Sequence, residues 1–172
     1  MLSVLHRLFG TADPRDSWLP LYEAIVARGR EPVWYRDGRV PDTLDGRFDM
    51  IAALTTLALL RLEAEGEDGR GPAVLLGELF VADMDSSLRE IGIGDYVVGK
   101  HIGRMMSALG GRLAAFRAAA PHGDLAPAVT RNIFHDSPPS PEAPGLVADR
   151  LAAFRAALAA TALADLKAGR LP

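Results

Sequence analysis

The stretch VPDTLDGRFDMIAALTTLALLRLE, residues 40–63, decides the fold. Apolar residues recur through it at helical spacing, with Thr55 counted as neutral: Leu44, Phe48, Ile51, Leu54, Thr55, Ala58 and Leu62, flanked by Leu57, Leu59 and Leu60. An apolar face this wide exceeds the stripe of a surface helix. Asp42 can cap the helix, and Asp45 lies in its first turn, where the helix dipole favours an acid. The stretch therefore predicts a central, largely buried helix that ends near Glu63.

A second helical pattern precedes this central helix. It begins at Pro20, since proline is typical of a first helical turn, and it ends near Gly29. Its inward-facing residues are Leu21, Tyr22, Ile25 and Val26. We expect Pro32 to prevent the helix from resuming. Residues 32–43, PVWYRDGRVPDT, are therefore predicted to form an extended connector with a turn at their Asp-Gly pair.

Two long helices are predicted after the central one, with a sharp corner between them. Residues 66–72, GEDGRGP, are expected to form a loop before a helix that starts at Pro72. The inward face of that helix consists of Leu76, Phe80, Met84, Leu88 and Ile91. Gly92 fits the left-handed position after a helix end, with Ile93 folding back onto the helix, and Asp95 can cap the next one.

The helix after Asp95 combines an apolar face with a stripe of small residues. The apolar face consists of Val98, Ile102, Met105, Met106, Leu109, Leu113 and Phe116. Gly99, Gly103 and Ser107 recur every four residues, a spacing that would let another backbone approach closely. Residues 125–134 are then expected to hold one short helical piece.

The composition divides the chain into four predicted parts. Residues 1–12 begin with an amphipathic helix pattern, which could pack on its own domain or dock on a membrane surface or a partner. Residues 13–135 form a helical domain, residues 136–145 a Pro-rich linker, and residues 146–172 an Ala-rich C-terminal helix. The apolar side of that last helix consists of Leu151, Phe154, Leu158 and Leu163. The sequence allows it either to pack on the domain or to extend from it.

Charge and composition exclude several classes of protein. Lys and Arg number 19 against 22 Asp and Glu, a net charge of −3, which argues against direct nucleic-acid binding. The absence of cysteine excludes disulfides, thiolate nucleophiles and cysteine-ligated zinc. There is no secretory signal peptide and no apolar run of the roughly 18 residues that a membrane span needs. Many Ala and Leu and few Val and Ile favour helices. We therefore expect a cytoplasmic, all-α protein: a single domain of about six helices with a linker and a C-terminal helix.

Two groups of charged residues are the candidate functional residues. They surround the start of the central helix and the predicted corner: Asp42, Asp45, Arg47 and Asp49, then Asp83, Asp85, Arg89, Glu90, Asp95 and Lys100. In an enzyme they could be metal ligands or acid–base pairs. They could instead be caps and surface ion pairs, such as Asp85 with Arg89 four residues on. A third interpretation is a polar recognition surface for a partner chain, because arginine is enriched at interfaces.

The histidines give little support to an enzyme. No two of the four, His6, His101, His122 and His135, are three or four residues apart, so none form a metal-binding pair on one helix. His135-Asp136 resembles the doublet of helical metal-dependent phosphohydrolases, but it precedes the Pro-rich segment instead of lying within a helix. No G-x-S-x-G or phosphate-binding loop motif is present. We expect no metal and no cofactor.

Four segments in this order resemble the ubiquinol–cytochrome c chaperone family, the assembly factors of the cytochrome bc1 complex. They are LYEAIVARGREPVWY (21–35), VPDTLDGRFDMI (40–51), DMDSSLREIGIGDYVVGK (83–100) and TRNIF (130–134). The combination of D-T-x-D-G-R-F-D with S-L-R-E-x-G-x-G-D carries the resemblance. The matching positions are Asp42, Thr43, Asp45, Gly46, Arg47, Phe48, Asp49, Asp83, Asp85, Leu88, Arg89, Glu90, Gly92, Gly94, Asp95, Lys100, Arg131 and Asn132. The sequence departs from the family at Leu54, where many members carry a histidine.

The resemblance implies an all-helical, non-enzymatic assembly factor that binds newly made cytochrome b. It also implies possible contact with the ribosome or a second assembly factor. Because no transit peptide is recognisable, we expect a bacterial protein at the cytoplasmic face of the inner membrane, with membrane-surface contact possible through residues 1–9. The charged residues named above would bind the partner. The alternatives are a helical metal-dependent hydrolase that uses the aspartates, or a structural interaction module.

Overall fold

The fold is all-helical, as the sequence predicts. The structure is a computed structural model, and it describes residues 13–90, 95–119 and 122–172. Side chains are described for all of these residues except 88–90, 95–102, 104 and 105. Within these ranges there are eight α-helices, one 3₁₀ turn and no strand. The 3₁₀ turn is Pro14–Ser17, and the helices are α1 Leu19–Gly29, α2 Pro32–Arg36, α3 Leu44–Glu63, α4 Glu67–Glu90, α5 Asp95–Ala119, α6 Ala126–Asn132, α7 Ala143–Ala160 and α8 Leu163–Lys167.

Helix α3 is the centre of the fold, which confirms the interpretation of the 40–63 stretch. Every residue from Asp49 to Leu59 is buried, and α3 packs against α1, α4, α5 and α7. The cap differs from the prediction: Thr43 Oγ1, not Asp42, accepts the backbone N–H of Gly46, at 3.1 Å. Asp42 pairs instead with Arg47. Leu44, predicted on the inner face, is 65% exposed because it lies in the first turn, beyond the neighbouring helices.

Helix α1 has the predicted bounds, but the connector after it is partly helical. Pro32 begins α2 instead of preventing a helix, because at a first helical position its missing N–H would have no intrahelical partner anyway. The indole of Trp34 is buried and donates to the carbonyl of Arg28 at 2.8 Å. The Tyr35 hydroxyl donates to the carbonyl of Gly29. Helix α2 therefore folds back on the end of α1.

The predicted loop at residues 66–72 is also wrong, since α4 begins at Glu67. Gly66 has φ +68° and turns the chain. Gly69 then lies so close to α3 that a Cβ atom there would be 1.7 Å from the carbonyl oxygen of Leu62. Gly66 and Gly69 therefore belong to a tight corner between α3 and α4 and not to a loop. Pro72 is accommodated within the helix.

Helices α3 and α4 form an antiparallel pair. They are joined by a three-residue turn, and far from it the rings of Phe48 and Phe80 lie 5.9 Å apart. The inward face predicted for α4 is confirmed at Leu76, Phe80 and Met84, which are buried. The predicted corner at Gly92 and Ile93 lies outside the described residues. Helix α5 starts at Asp95 itself, the residue predicted to precede it as its cap.

Helix α5 confirms its predicted apolar face only in part. Leu109 and Phe116 are buried, whereas Met106 is 48% exposed. The predicted close approach at the small-residue stripe is not observed at Gly103, because a Cβ atom there would meet nothing within 4 Å. The side chain of Arg112 occupies an inward position between the apolar residues.

The C-terminal helices pack on the rest of the molecule. Helix α6 confirms the short helical piece after residue 125. Helix α7 begins at Ala143, inside the predicted linker, and ends at Ala160, so the single C-terminal helix predicted within residues 146–172 is interrupted before α8. The residues of α7 that join the common core are Ala143, Val147, Ala148, Leu151, Phe154 and Leu158. The guanidinium of Arg61 binds the carbonyls of Leu158 and Thr161, which fixes the end of α7 on α3.

The last described residues return to α1. Leu166 of α8 is buried, and the ammonium of Lys167 lies 5.7 Å from the ring centre of Trp18. Gly169 has φ +75° and passes so close to Pro20 that a Cβ atom there would be 2.7 Å from its carbonyl oxygen. In the part of the chain that the structure describes, no helix combines the length and the apolar character needed to cross a bilayer. The amphipathic helix predicted for residues 1–12 lies outside that part.

Candidate functional site

A groove of about 1010 Å³ runs between α4 and α5 and is the candidate functional site. Its lining comes from the 3₁₀ turn, the end of α3, α4 and α5: Arg15, Leu59, Glu63, Gly66, Glu67, Arg70, Ala73, Val74, Gly77, Glu78, Val81, Ala82, Asp85, Met106, Leu109, Gly110 and Leu113. The residues that line this groove could not be identified from the sequence, because its walls are brought together only by the fold.

The interior of the groove is apolar, and small residues keep it open. Leu59 and Leu109 form a buried floor. Gly77 and Gly110 leave open space, since a Cβ atom at either would meet nothing within 4 Å. Val74 is 57% exposed, and with Met106 it presents apolar surface to solvent. Exposed apolar surface of this kind, rimmed by polar residues, is typical of a protein-binding site.

The rim of the groove is charged and predominantly acidic. Four acids, Glu63, Glu67, Glu78 and Asp85, line it against two arginines, Arg15 and Arg70. Arg70 pairs with Glu67 at 2.8 Å, Arg15 pairs with Asp13, and Glu63 pairs with Arg117 of α5 at 2.6 Å. An apolar segment flanked by basic residues would complement such a groove.

The predicted site residues at the start of α3 lie on the surface, except for Asp49. Asp42 and Arg47 form an ion pair at 2.7 Å, and the Arg47 guanidinium lies 5.7 Å from the ring centre of Tyr35. Asp45 is exposed in the first turn of α3. Partial burial raises the pKa of the Tyr35 hydroxyl. These residues remain accessible to a partner.

Asp49 is only 2% exposed, so its predicted place on a recognition surface is wrong. Its carboxylate pairs with the guanidinium of Arg112, and its Oδ2 lies 2.7 Å from Nε2 of His135. Arg112 also donates to the carbonyl of Asn132 at 3.2 Å and lies over the ring of Phe48. Burial raises the pKa of the Asp49 carboxyl, although Arg112 and His135 act in the opposite direction. This cluster joins α3, α5 and the segment after α6.

The aspartates of α4 face different neighbours. Asp83 accepts a hydrogen bond from the Tyr22 hydroxyl of α1 at 2.7 Å, and with burial this contact raises the tyrosine pKa. Asp85 faces the α4–α5 groove. Within the described residues, the side chains of the two predicted charged groups therefore contact several different neighbours. The side chains of Arg89, Glu90, Asp95 and Lys100, and with them the predicted Asp85–Arg89 pair, lie outside the described residues.

Across the described ranges, no three His, Asp or Glu side chains converge as a metal site would require. In the His135-Asp136 doublet, whose likeness to phosphohydrolases the sequence context argued against, Nε2 of His135 lies 2.7 Å from Oδ2 of Asp49, and both residues have positive φ. Leu54, the position at which the sequence departs from the family it resembles, is fully buried in the core.

Sequence reasoning missed Arg112 as well as the residues that line the groove. A signal for Arg112 was present, because it lies three residues after Leu109 and four before Phe116, within the apolar face of its helix. A single charge on such a face indicates a buried ion pair, although its partner could not be identified from spacing.

Comparisons with known proteins agree with this architecture. A family model described as ubiquinol-cytochrome C chaperone matches residues 36–171. The crystal structure of the Cbp3 homolog from Brucella abortus superposes with a TM-score of 0.79 at 34% sequence identity, over 99% of this chain and 95% of that one. A search of curated proteins gave no match. On the family match and the structural likeness together, the chain belongs to the ubiquinol–cytochrome c chaperone family.

Proposed function

We propose that this protein is a non-enzymatic assembly chaperone of the cytochrome bc1 complex that binds newly made cytochrome b in the α4–α5 groove. Membership of the chaperone family supports an assembly role, and the likeness to the Brucella Cbp3 homolog is consistent with it. The observation that carries the proposal is the open groove itself, with its apolar interior and the exposed side chains of Val74 and Met106.

A groove of this kind suits an apolar helix of the client. A membrane subunit exposes apolar helices to water before insertion, and covering one face of such a helix removes apolar area from water. The glycines at 77 and 110 let the backbone of a client helix lie close to the groove floor. The chaperone thereby holds the client without chemistry.

The acidic rim adds selectivity for membrane helices. Lys and Arg are enriched at the cytoplasmic ends of membrane spans. Glu63, Glu67, Glu78 and Asp85 would attract such flanks at the ends of a client segment. This complementarity supports a site of action at the cytoplasmic face of the inner membrane. Asp42, Asp45 and Arg47 would then remain free to contact a ribosome or a second assembly factor.

A matched pair of variants tests the groove. Val74→Asp places a charge inside it, whereas Leu146→Asp places one at a similarly exposed apolar residue on α7, outside the groove. We expect only Val74→Asp to lose co-purifying cytochrome b and to lower bc1 content in membranes of cells that lack the wild-type protein. Normal bc1 content after deletion of the gene would refute the assembly role. Equal binding by both variants would refute the groove as the site.

A further inference from the structure

The described residues begin beside the groove. The 3₁₀ turn Pro14–Ser17 packs on α4, and Arg15 both lines the groove and is electrostatically coupled to Glu78. Asp13 holds this turn in place, because its carboxylate accepts the backbone N–H and the guanidinium of Arg15, each at 2.9 Å. The described part of the chain therefore begins at the groove rim, and residues 1–12 are joined to it there.

The residues that precede this point have the pattern of a groove ligand. On a helical wheel residues 1–9 divide into an apolar side with Met1, Leu2, Val4, Leu5, Leu8 and Phe9 and a polar side with Ser3, His6 and Arg7. A helix this short is not stable alone in water and needs a surface on which to bury its apolar face.

The lengths also match. Eleven residues of α4 separate Glu67 from Glu78, which corresponds to about 16 Å of helix. A nine-residue helix is about 14 Å long. The three residues Gly10, Thr11 and Ala12 can span up to about 10 Å, enough to turn the chain from Asp13 into the groove. This half of the groove contains Val74.

We propose that residues 1–9 occupy the α4–α5 groove of the free protein as a helix, with their apolar side against Val74 and Leu113. Arg7 then lies at the acidic rim formed by Glu67 and Glu78, where its charge is complementary. The client displaces this segment. The displacement step rests on the proposed function, whereas the docking of the segment does not.

Cross-linking tests the docking directly, because the chain has no cysteine of its own. The pair Leu5→Cys with Val74→Cys places one thiol on the apolar side and one in the groove. In the control pair, Ser3→Cys with Val74→Cys, the first thiol lies on the polar side of the segment, two residues from Leu5. With a short thiol cross-linker, we expect the first pair to form an intramolecular product much faster than the control. Equal rates, or no product from either pair, would overturn the proposal.

Competition tests the regulatory consequence. The probe is a Lys-flanked Leu-Ala helix peptide of about 20 residues, titrated against the full chain and its Leu5→Asp/Leu8→Asp variant, with Ser3→Asp as control. If the segment covers the groove about nine-tenths of the time, the double variant should bind the peptide about tenfold more tightly. Equal affinity for all three proteins would overturn the inference and leave the proposed function intact.

Two further outcomes separate the two proposals. If the peptide binds none of the proteins, the proposed client site fails, while the cross-linking result still decides the docking of residues 1–9. Anionic lipid vesicles address the alternative occupant of the segment. Binding of the full chain to such vesicles that Leu5→Asp abolishes, with no preferential cross-link to Val74→Cys, would place the segment on a membrane and overturn the inference.

Discussion

The carboxylate of Asp49 and the guanidinium of Arg112 form a salt bridge in the interior of the molecule, with side chains 3% and 7% exposed. Asp49 belongs to the central helix α3, and Arg112 belongs to α5, which forms one wall of the groove. The pair therefore fixes the position of a groove wall relative to the core. A buried charge of this kind is costly when its partner is removed.

We expect Asp49→Leu to lower the free energy of unfolding by about 3–5 kcal/mol, because it leaves the Arg112 guanidinium buried without a carboxylate. Replacing both residues, Asp49→Leu with Arg112→Leu, should recover most of that loss, since no unpaired charge remains. Denaturant unfolding of the two single variants and the double variant measures the coupling. Additive losses would show that the two side chains act independently.

The Asp49 carboxyl should also give stability an unusual pH dependence. Its folded-state pKa is raised above the ordinary 3.8 because burial outweighs the opposing effects of Arg112 and His135. A raised pKa means that the folded state binds a proton more readily than the unfolded state. The contribution of Asp49 is thus complete below pH 3.8 and is lost as the pH rises through the raised value. We expect the free energy of unfolding of the wild type, relative to Asp49→Asn, to fall over that window. A relative rise would mean that Arg112 dominates and that the pKa is lowered.

Two glycines of α4 should respond oppositely to alanine. At Gly69 a Cβ atom would be 1.7 Å from the Leu62 carbonyl, whereas at Gly71 it would meet nothing within 4 Å. Gly69→Ala must separate α3 from α4 and should lower the melting temperature. Gly71→Ala should stabilise the protein by up to about 1 kcal/mol, because alanine favours helix. Thermal unfolding of both variants provides the comparison, and a stable Gly69→Ala would contradict the tight corner.

Filling the groove should block binding without unfolding the protein. Gly77 lines the groove and Gly71 does not, yet both lie in α4, and a Cβ atom at either would meet nothing within 4 Å. Gly77→Leu should therefore abolish binding of an apolar helix peptide and co-purification of cytochrome b, while Gly71→Leu should not. Circular dichroism should show unchanged helix content in both. Retained binding by Gly77→Leu would exclude this half of the groove from client contact.

Hydrophobic periodicity in the sequence predicts the long helices, because a helix that buries one face needs apolar residues at helical spacing. Helix α3 has a wide apolar face, and this width correctly indicates that the helix is buried on nearly all sides. The short helix α2 and the first turn of α4 were not predicted, because proline and glycine are each compatible with two different local structures. Pro32 can end a helix or begin one, and Gly69 can belong to a loop or to a close helix contact. Only the position of the neighbouring helix distinguishes these cases.

The sequence predicts the candidate site less well than it predicts the fold. The charged residues of the family motifs attract attention, but Asp49 is buried and Asp83 is bonded to Tyr22, 61 residues away in sequence. The groove consists mainly of Ala, Gly, Val and Leu, which are ordinary core residues in any helical pattern. Its existence depends on how far apart α4 and α5 lie, and no local pattern in the sequence determines that separation.

The contact of the C-terminal residues with α1 has a consequence for the order of synthesis. Trp18 and Pro20 leave the translating ribosome early, whereas Lys167 and Gly169, which close over them, are added almost 150 residues later. At about 5–20 residues per second, that delay lasts roughly 7–30 s. For that time the ring of Trp18 and the start of α1 lack their final cover, so this chaperone is itself a candidate for help from general folding factors while it is being translated.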